Sequence, residues 1–372
     1  MSTEKKPENL KNLLESLHER APWPVMSSLL RKNELLVSRG ARNTIKKLLD
    51  EYNHATEEKV NELNQKIESL FEDYCEHLLT GEKQVKIFSV NSNIEEQILK
   101  DLSTVTVKEN EFLESYPLPL SQEKLEGMDS STYLVDIKNK KEVMNFVFCT
   151  SRFTTSRVRF KPHELDSDLS EILSEYDELV GIKRNSRQFF DVVTIRKGRG
   201  LIEFRMDISG GLPVEERPGA FVHARRCFQR LFSDRSLASC FSQELNVFPL
   251  LQHLYSDKEE GKVVEIGFAT GTASIKHERM RRGQIDLRDE VYHKAGMDAV
   301  QRIDLYRLAV HWHINIQPDL SSSPELLIPG HVTLLNSENE KNIDGLEIRK
   351  CLGLEDYESI IEKVIKYLKN ND

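Results

Sequence analysis

The chain has no run of about 18 apolar residues, the length a membrane-crossing helix needs, so no transmembrane span is expected. Its opening stretch, MSTEKKPENL, carries no apolar segment and does not read as a signal peptide. Cysteine is sparse: Cys75, Cys149, Cys227, Cys240 and Cys351 stand singly, with no CxxC pair. That scatter argues against a disulfide or zinc framework and for reduced thiols in a cytoplasmic setting. No internal repeat, low-complexity tract or unambiguous catalytic motif is visible, and no cofactor or metal is expected. Positive charge is in deficit, with 52 Lys and Arg against 61 Asp and Glu and a net charge of −9.

The charges are segregated, however. Acidic excess lies in the first third and the last stretch of the chain, while arginine clusters occupy the centre from Arg152 to about Arg288. Screening confines each cluster's influence to about 10 Å, so a basic patch can bind a polyanion inside an acidic chain. At 372 residues two or three domains are expected. Hydrophobic periodicity divides the chain into a helical domain (1–80), a central α+β sheet domain with a basic hairpin (81–235) and a C-terminal α+β part (236–372) that can share the sheet. The fold class is α+β: N-terminal helices followed by a mostly antiparallel sheet with packed helices.

The central hairpin organises this reading. Phe189 to Ile195 is β-branched and aromatic, and Leu201 to Ile208 alternates, with Ile202, Phe204, Met206 and Ile208 on one face and Leu201, Glu203, Arg205 and Asp207 on the other. Between them, Arg196-Lys197-Gly198-Arg199-Gly200 has two glycines for a tight turn. Phe221, Ala224, Phe228, Leu231 and Phe232 then recur at helical spacing. Upstream strands are expected at VKIFSV, STVTV, TYLVDI, VMNFVFCT and SRVRF; in the last, Val158 and Phe160 face one way and Arg157 and Arg159 the other. Further strands are read at 262–277, 308–316 and HVTLL (331–335).

Guanidinium groups grip phosphate in bidentate fashion, so the basic clusters point to backbone contacts with nucleic acid, of low sequence specificity and with DNA favoured over RNA. The candidate contacts are Arg184, Arg187, Arg196, Lys197, Arg199, Arg225, Arg226, Arg279, Arg281 and Arg282. A second reading is a metal-dependent nuclease. Asp191 and Glu203 on adjacent strands would hold a divalent ion, although Arg205 stands where a proton-exchanging lysine is wanted. A third is a protein adaptor without nucleic acid. The stripe Val60, Leu63, Ile67, Leu70, Phe71 and Leu78 on a long helix, together with the other N-terminal helices, is the candidate surface for a partner protein or a homodimer. His311 and His313 share a strand face, with His331 nearby, a weak metal pattern without a placed third ligand.

Residues 26–49 resemble a SAP motif, the helix–extended–helix unit of DNA-binding proteins, through Leu29, Leu30, Val37, Ser38, Gly40, Arg42, Ile45 and Leu49. The resemblance implies DNA-backbone contacts from Arg39, Arg42, Lys46 and Lys47. An ordinary helical hairpin capped by glycine fits the same residues. VVEIGFATGTAS is similar to the first glycine-rich motif of S-adenosylmethionine-dependent methyltransferases at Glu265, Gly267 and Gly271, with Ala269 in place of the middle glycine. The antiparallel strands upstream do not suit the doubly wound sheet that this resemblance implies.

Overall fold

The computed structural model describes residues 6–241, 243–281, 285–300, 302–336 and 340–369. The chain opens with α1 (Lys6–Arg20), α2 (Trp23–Lys32), α3 (Ala41–Asn53) and α4 (Glu57–Thr80). Leu10, Leu13, Leu14 and Leu17 repeat at helical spacing along α1, and all four are buried. Gly40, at φ +82°, turns an extended link into α3. The α4 stripe is spent within the chain: Leu63, Leu70 and Leu78 are buried, and Val60, Ile67 and Phe71 pack against the same core. It is therefore not an open surface for a second protein.

The sheet region runs β1 (Lys83–Ser89), α5 (Ser92–Leu102), α6 (Gln122–Gly127), β2 (Thr132–Asn139), β3 (Val143–Phe160), α7 (Ser167–Ile172), β4 (Leu179–Arg196), β5 (Leu201–Asp207) and α8 (Arg217–Gln229). It continues with α9 (Leu250–Ser256), β6 (Lys262–Thr270), β7 (Ile275–Arg279), α10 (Val291–Ala299) and β8 (Ile303–His311). Then come β9 (Ile314–Gln317), β10 (Leu320–Ser322), β11 (Glu325–Ile328), β12 (Leu346–Arg349) and α11 (Leu354–Lys369). Among the described residues, ten strands form one sheet in the order β2-β3-β4-β5-β1-β12-β11-β8-β6-β7. Every neighbouring pair is antiparallel. The segments 81–235 and 236–372 meet at β1, which pairs with β5 on one side and β12 on the other.

Helices cover one face along its length and part of the other. On one face, α1 and α4 pack on Val147, Cys149, Phe190 and Val192, while α9 and α11 cover Val85, Ile87, Leu308, Val310, Leu326 and Ile348. On the other, α5 and α8 bury Phe88, Phe146, Phe148, Phe204 and Met206. Phe204 meets Phe88, Phe221 and Phe228 edge-to-face at 5.4, 5.5 and 5.8 Å between ring centroids.

Several expectations fail locally. STVTV (103–107) is irregular: its β-branched residues have no neighbouring strand to pair with. HVTLL contains a short 3-10 helix at 332–336 instead of a strand. The stretch 308–316 breaks after His311; β9 leaves the main sheet and pairs with β10. The glycine-rich VVEIGFATG is β6 and its turn, flanked by antiparallel β7 and β8, so the cofactor-binding resemblance has no parallel sheet beneath it.

Candidate nucleic-acid interface

The basic hairpin turns mostly inward. Pairing places Thr194 opposite Glu203 and Val192 opposite Arg205, so Glu203, Arg205 and Asp207 share a face with Arg196. Helices α1, α4 and α11 cover that face, and all four side chains are at most 3% exposed. Arg196 donates from Nε to Glu203, and its terminal nitrogens bind Glu358 of α11 at 2.8 and 3.2 Å. Arg205 donates to the second Glu203 oxygen at 2.9 Å and lies 4.0 Å from the Tyr357 ring centroid. The Tyr357 hydroxyl completes the cluster with a 2.8 Å bond to Glu203.

Burial alone would lower the Arg196 guanidinium, but Glu203 and Glu358 outweigh it and hold the group above its ordinary range. Burial would likewise raise the Glu203 carboxyl, yet Arg205 and Arg196 pull it below the usual value. At the far end of β5, Asp207 binds Arg20 at 3.0 Å and accepts from the Phe190 N–H at 2.9 Å. Burial pushes Asp207 up, while Lys83 and Arg20 draw it down to about 2.

Burial and these contacts remove Arg196 from the candidate phosphate contacts, because it is only 3% exposed and already bonded to Glu203 and Glu358. They also remove the nuclease reading built on Asp191 and Glu203. Thr194 shares the Glu203 face, and Asp191, three positions away, points through the opposite face of the sheet. Asp191 is fully buried, ion-paired with Arg152, and accepts from the Asp207 N–H at 3.0 Å. The two carboxylates therefore have neither a shared metal position nor a path to solvent.

The other sequence candidates divide. Lys197 donates to Asn139 and the Lys140 carbonyl, and Arg199 to both Glu362 oxygens at 2.7 and 2.6 Å. Arg187 donates to the Glu19 carbonyl at 2.5 Å. Arg225 donates to the Phe241 carbonyl and sits 5.4 Å from the Phe88 ring centroid. Exposed Arg226 shares a shallow depression of about 390 Å3 with Arg230 and Arg235. Arg279 and Arg281 are exposed at a separate groove, and Arg282 lies outside the described residues. Arg184 is exposed on β4. The candidates thus do not gather into one concave surface.

A different basic feature stands clear of the sheet. β2 pairs with β3 only as far as Thr150, and β5 meets β4 only from Val192 onward. From Arg152↔Arg187 to Phe160↔Leu179, nine residue pairs of β3 and β4 bond to each other beyond those neighbours. At about 3.3 Å per residue this two-stranded ribbon extends roughly 30 Å. The register puts Phe153, Thr155, Arg157 and Arg159 on the same face as Val180, Ile182, Arg184 and Ser186. Arg157, Arg159 and Arg184 are exposed. Arg159 makes a loose 3.3 Å contact with Glu178; among the described residues neither Arg157 nor Arg184 has an ion-pair partner. Arg157 and Arg159 are absent from the sequence candidates, although the alternation in SRVRF already signalled their shared face.

In the SAP-like segment, α2, an extended link and α3 follow one another, and Arg39, Arg42, Lys46 and Lys47 are all exposed. Among the described residues no three His, Cys, Asp or Glu side chains come together to hold a metal ion. None of the described helices is long and apolar enough to cross a membrane. No protein-family model matches the chain, and no curated protein matches it.

Proposed function

We propose that the protein binds nucleic acid, DNA in preference to RNA, through phosphate contacts of low sequence specificity made by the β3–β4 ribbon. The observation that supports this reading most is the row Arg157, Arg159 and Arg184 on one face of a ribbon that projects past the sheet. A two-stranded ribbon fits the major groove of duplex DNA, which is about 12 Å wide. Guanidinium groups along its face reach phosphates on the groove walls. The exposed cations of α3 offer a further contact region.

Fluorescence-anisotropy titration of a labelled duplex at several salt concentrations tests this. Wild-type protein should show a steep fall in log K with log salt. The triple variant Arg157→Ala, Arg159→Ala, Arg184→Ala should have a slope shallower by roughly one unit per lost contact. Exposed substitutions of this kind change stability by less than about 0.5 kcal/mol, so folding should be preserved. An unchanged slope in the triple variant, or no binding at low salt by the wild type, ends the proposal.

A protein-adaptor reading is favoured by one observation: the ribbon and its connecting segment also expose Phe153, Ile172, Tyr176 and Ile182. Light scattering in the absence of nucleic acid distinguishes it. A defined oligomer that Ile182→Glu dissociates would support the adaptor role.

A further inference from the structure

Strands β12, β11, β8, β6 and β7 carry a polar face opposite their apolar one. Leu346, Ile348, Leu326, Ile328, Leu308 and Val310 face the core. By alternation Glu347, Arg349, Glu325, Arg307 and His311 face the other way, and pairing aligns Glu325 with both Arg349 and His311. A groove of about 430 Å3 opens on that face, lined in part by Glu265, Arg279, Arg281, His311, Glu325 and Lys350. Its volume suits a small molecule and not a polymer.

The groove's carboxylates are already satisfied at its floor. Glu265, 8% exposed, is ion-paired with Arg307 and lies 3.1 Å from His277 Nε2. Glu325, also 8% exposed, is paired with His311 and with Lys350 at 2.8 Å. The rim cations are less committed. Arg279 is 70% exposed and reaches Glu265 only at 3.4 Å, and Arg281 has no ion-pair partner among the described residues. Among the residues lining the groove, the cations Arg279, Arg281 and Lys350 outnumber the carboxylates Glu265 and Glu325 by one. That positive excess, with two rim guanidinium groups, favours an anion such as a phosphate monoester, whose charge is about −1.5 to −2 at neutral pH.

Lys350 supplies an independent sign. Its φ is +60°, a left-handed placement that favours glycine, and its N–H is held at 2.8 Å by buried-side Glu82. A lysine kept in a glycine conformation, with its ammonium in a groove, is the kind of strain that collects at binding sites. His311 Nε2 lies 3.2 Å from the Lys350 ammonium and also faces Glu325. It accepts from Lys350 or donates to Glu325, but not both at once. Lys350 can therefore turn to a ligand while His311 keeps Glu325 satisfied.

We propose that this groove binds a phosphate monoester, with Arg279, Arg281 and Lys350 gripping the phosphate above the His311–Glu325 pair. The site is separate from the ribbon and does not rest on nucleic-acid binding there. Isothermal titration of the full chain with inorganic phosphate should give saturable binding. Arg281→Ala and Lys350→Gly should each weaken it by about tenfold or more, the effect of losing one charge-assisted contact. Lys350→Gly should keep or raise the melting temperature, because glycine accepts the backbone conformation. A 5′-phosphorylated dinucleotide as a second titrant separates a strand end from a free metabolite: tighter binding than inorganic phosphate, lost in the 5′-hydroxyl form, assigns the strand end, and equal binding assigns a free phosphate. Absence of saturable phosphate binding, or equal affinity in wild type and both variants, overturns the proposal. Duplex binding through the ribbon should be unchanged in Lys350→Gly.

Discussion

Arg196 and Glu203 bond across the two arms of one hairpin with both side chains almost fully removed from solvent, at 3% and 0% exposure. Cation and carboxylate are joined by Arg205, Tyr357 and Glu358, so the cluster ties the hairpin to α11. Glu203→Gln leaves two guanidinium groups short of their counter-charge. It should cost about 3–5 kcal/mol, the usual penalty for breaking a buried ion pair from one side. Urea denaturation followed by circular dichroism measures this; a loss below about 1 kcal/mol would show that the cluster is not holding the helix.

At the hairpin tip the expectation is the opposite. Arg199 and Glu362 are 41% and 44% exposed, and such surface pairs contribute about 0–1 kcal/mol. Arg199→Ala should leave both stability and the salt dependence of duplex binding close to wild type. A slope reduced by about one unit would return the tip to the interface.

Gly200 combines φ +64° with a close approach to the Val90 carbonyl, which would lie 2.4 Å from an added Cβ. The Val90 N–H also bonds to the Gly200 carbonyl at 2.9 Å, so the turn cannot easily shift away. Gly200→Ala should destabilise by about 2–3 kcal/mol through strain and displacement together. Its thermal midpoint should fall well below that of Gly198→Ala, where an added Cβ meets open space.

His77 sets a pH window. It is fully buried, and burial pushes its imidazole down to about 4 despite the Nδ1 contact to the Cys351 carbonyl at 3.0 Å. The unfolded chain takes up that proton near the ordinary value of about 6.5. Between those limits the unfolded state binds more protons, so stability is full above about pH 6.5 and declines as pH falls toward 4. The decline should reach about 3 kcal/mol. His77→Asn keeps a donor for the carbonyl and should flatten stability across this window; an unchanged pH profile would assign the decline to other groups.

Much of the architecture was legible because alternation and helical spacing are strong wherever one side is wet. The α1 leucines and the Phe221, Ala224 and Phe228 spacing of α8 lie where periodicity places them. Periodicity was misleading where both sides are dry. Glu203, Arg205 and Asp207 form the charged face of the β5 alternation, yet helices close over them, and nothing local in the sequence tells a covered charged row from an exposed one. The acidic excess near Glu358 and Glu362 was the available hint, since those residues answer the basic tip. The ribbon escaped notice because its arginines lie in two strands that come together only through register. STVTV failed for a related reason: β-branched composition favours a strand only when a neighbour is at hand.

The seam at β1 has a consequence for synthesis. β1 is made early, yet one of its edges is filled by β12, and the cover over the Arg196 cluster comes from α11. A nascent chain leaving the ribosome therefore holds an open strand edge and a row of uncovered charges until residues 346–369 emerge. During that interval a chaperone, or the matching edge of another nascent copy, can reach β1 before its proper neighbour does.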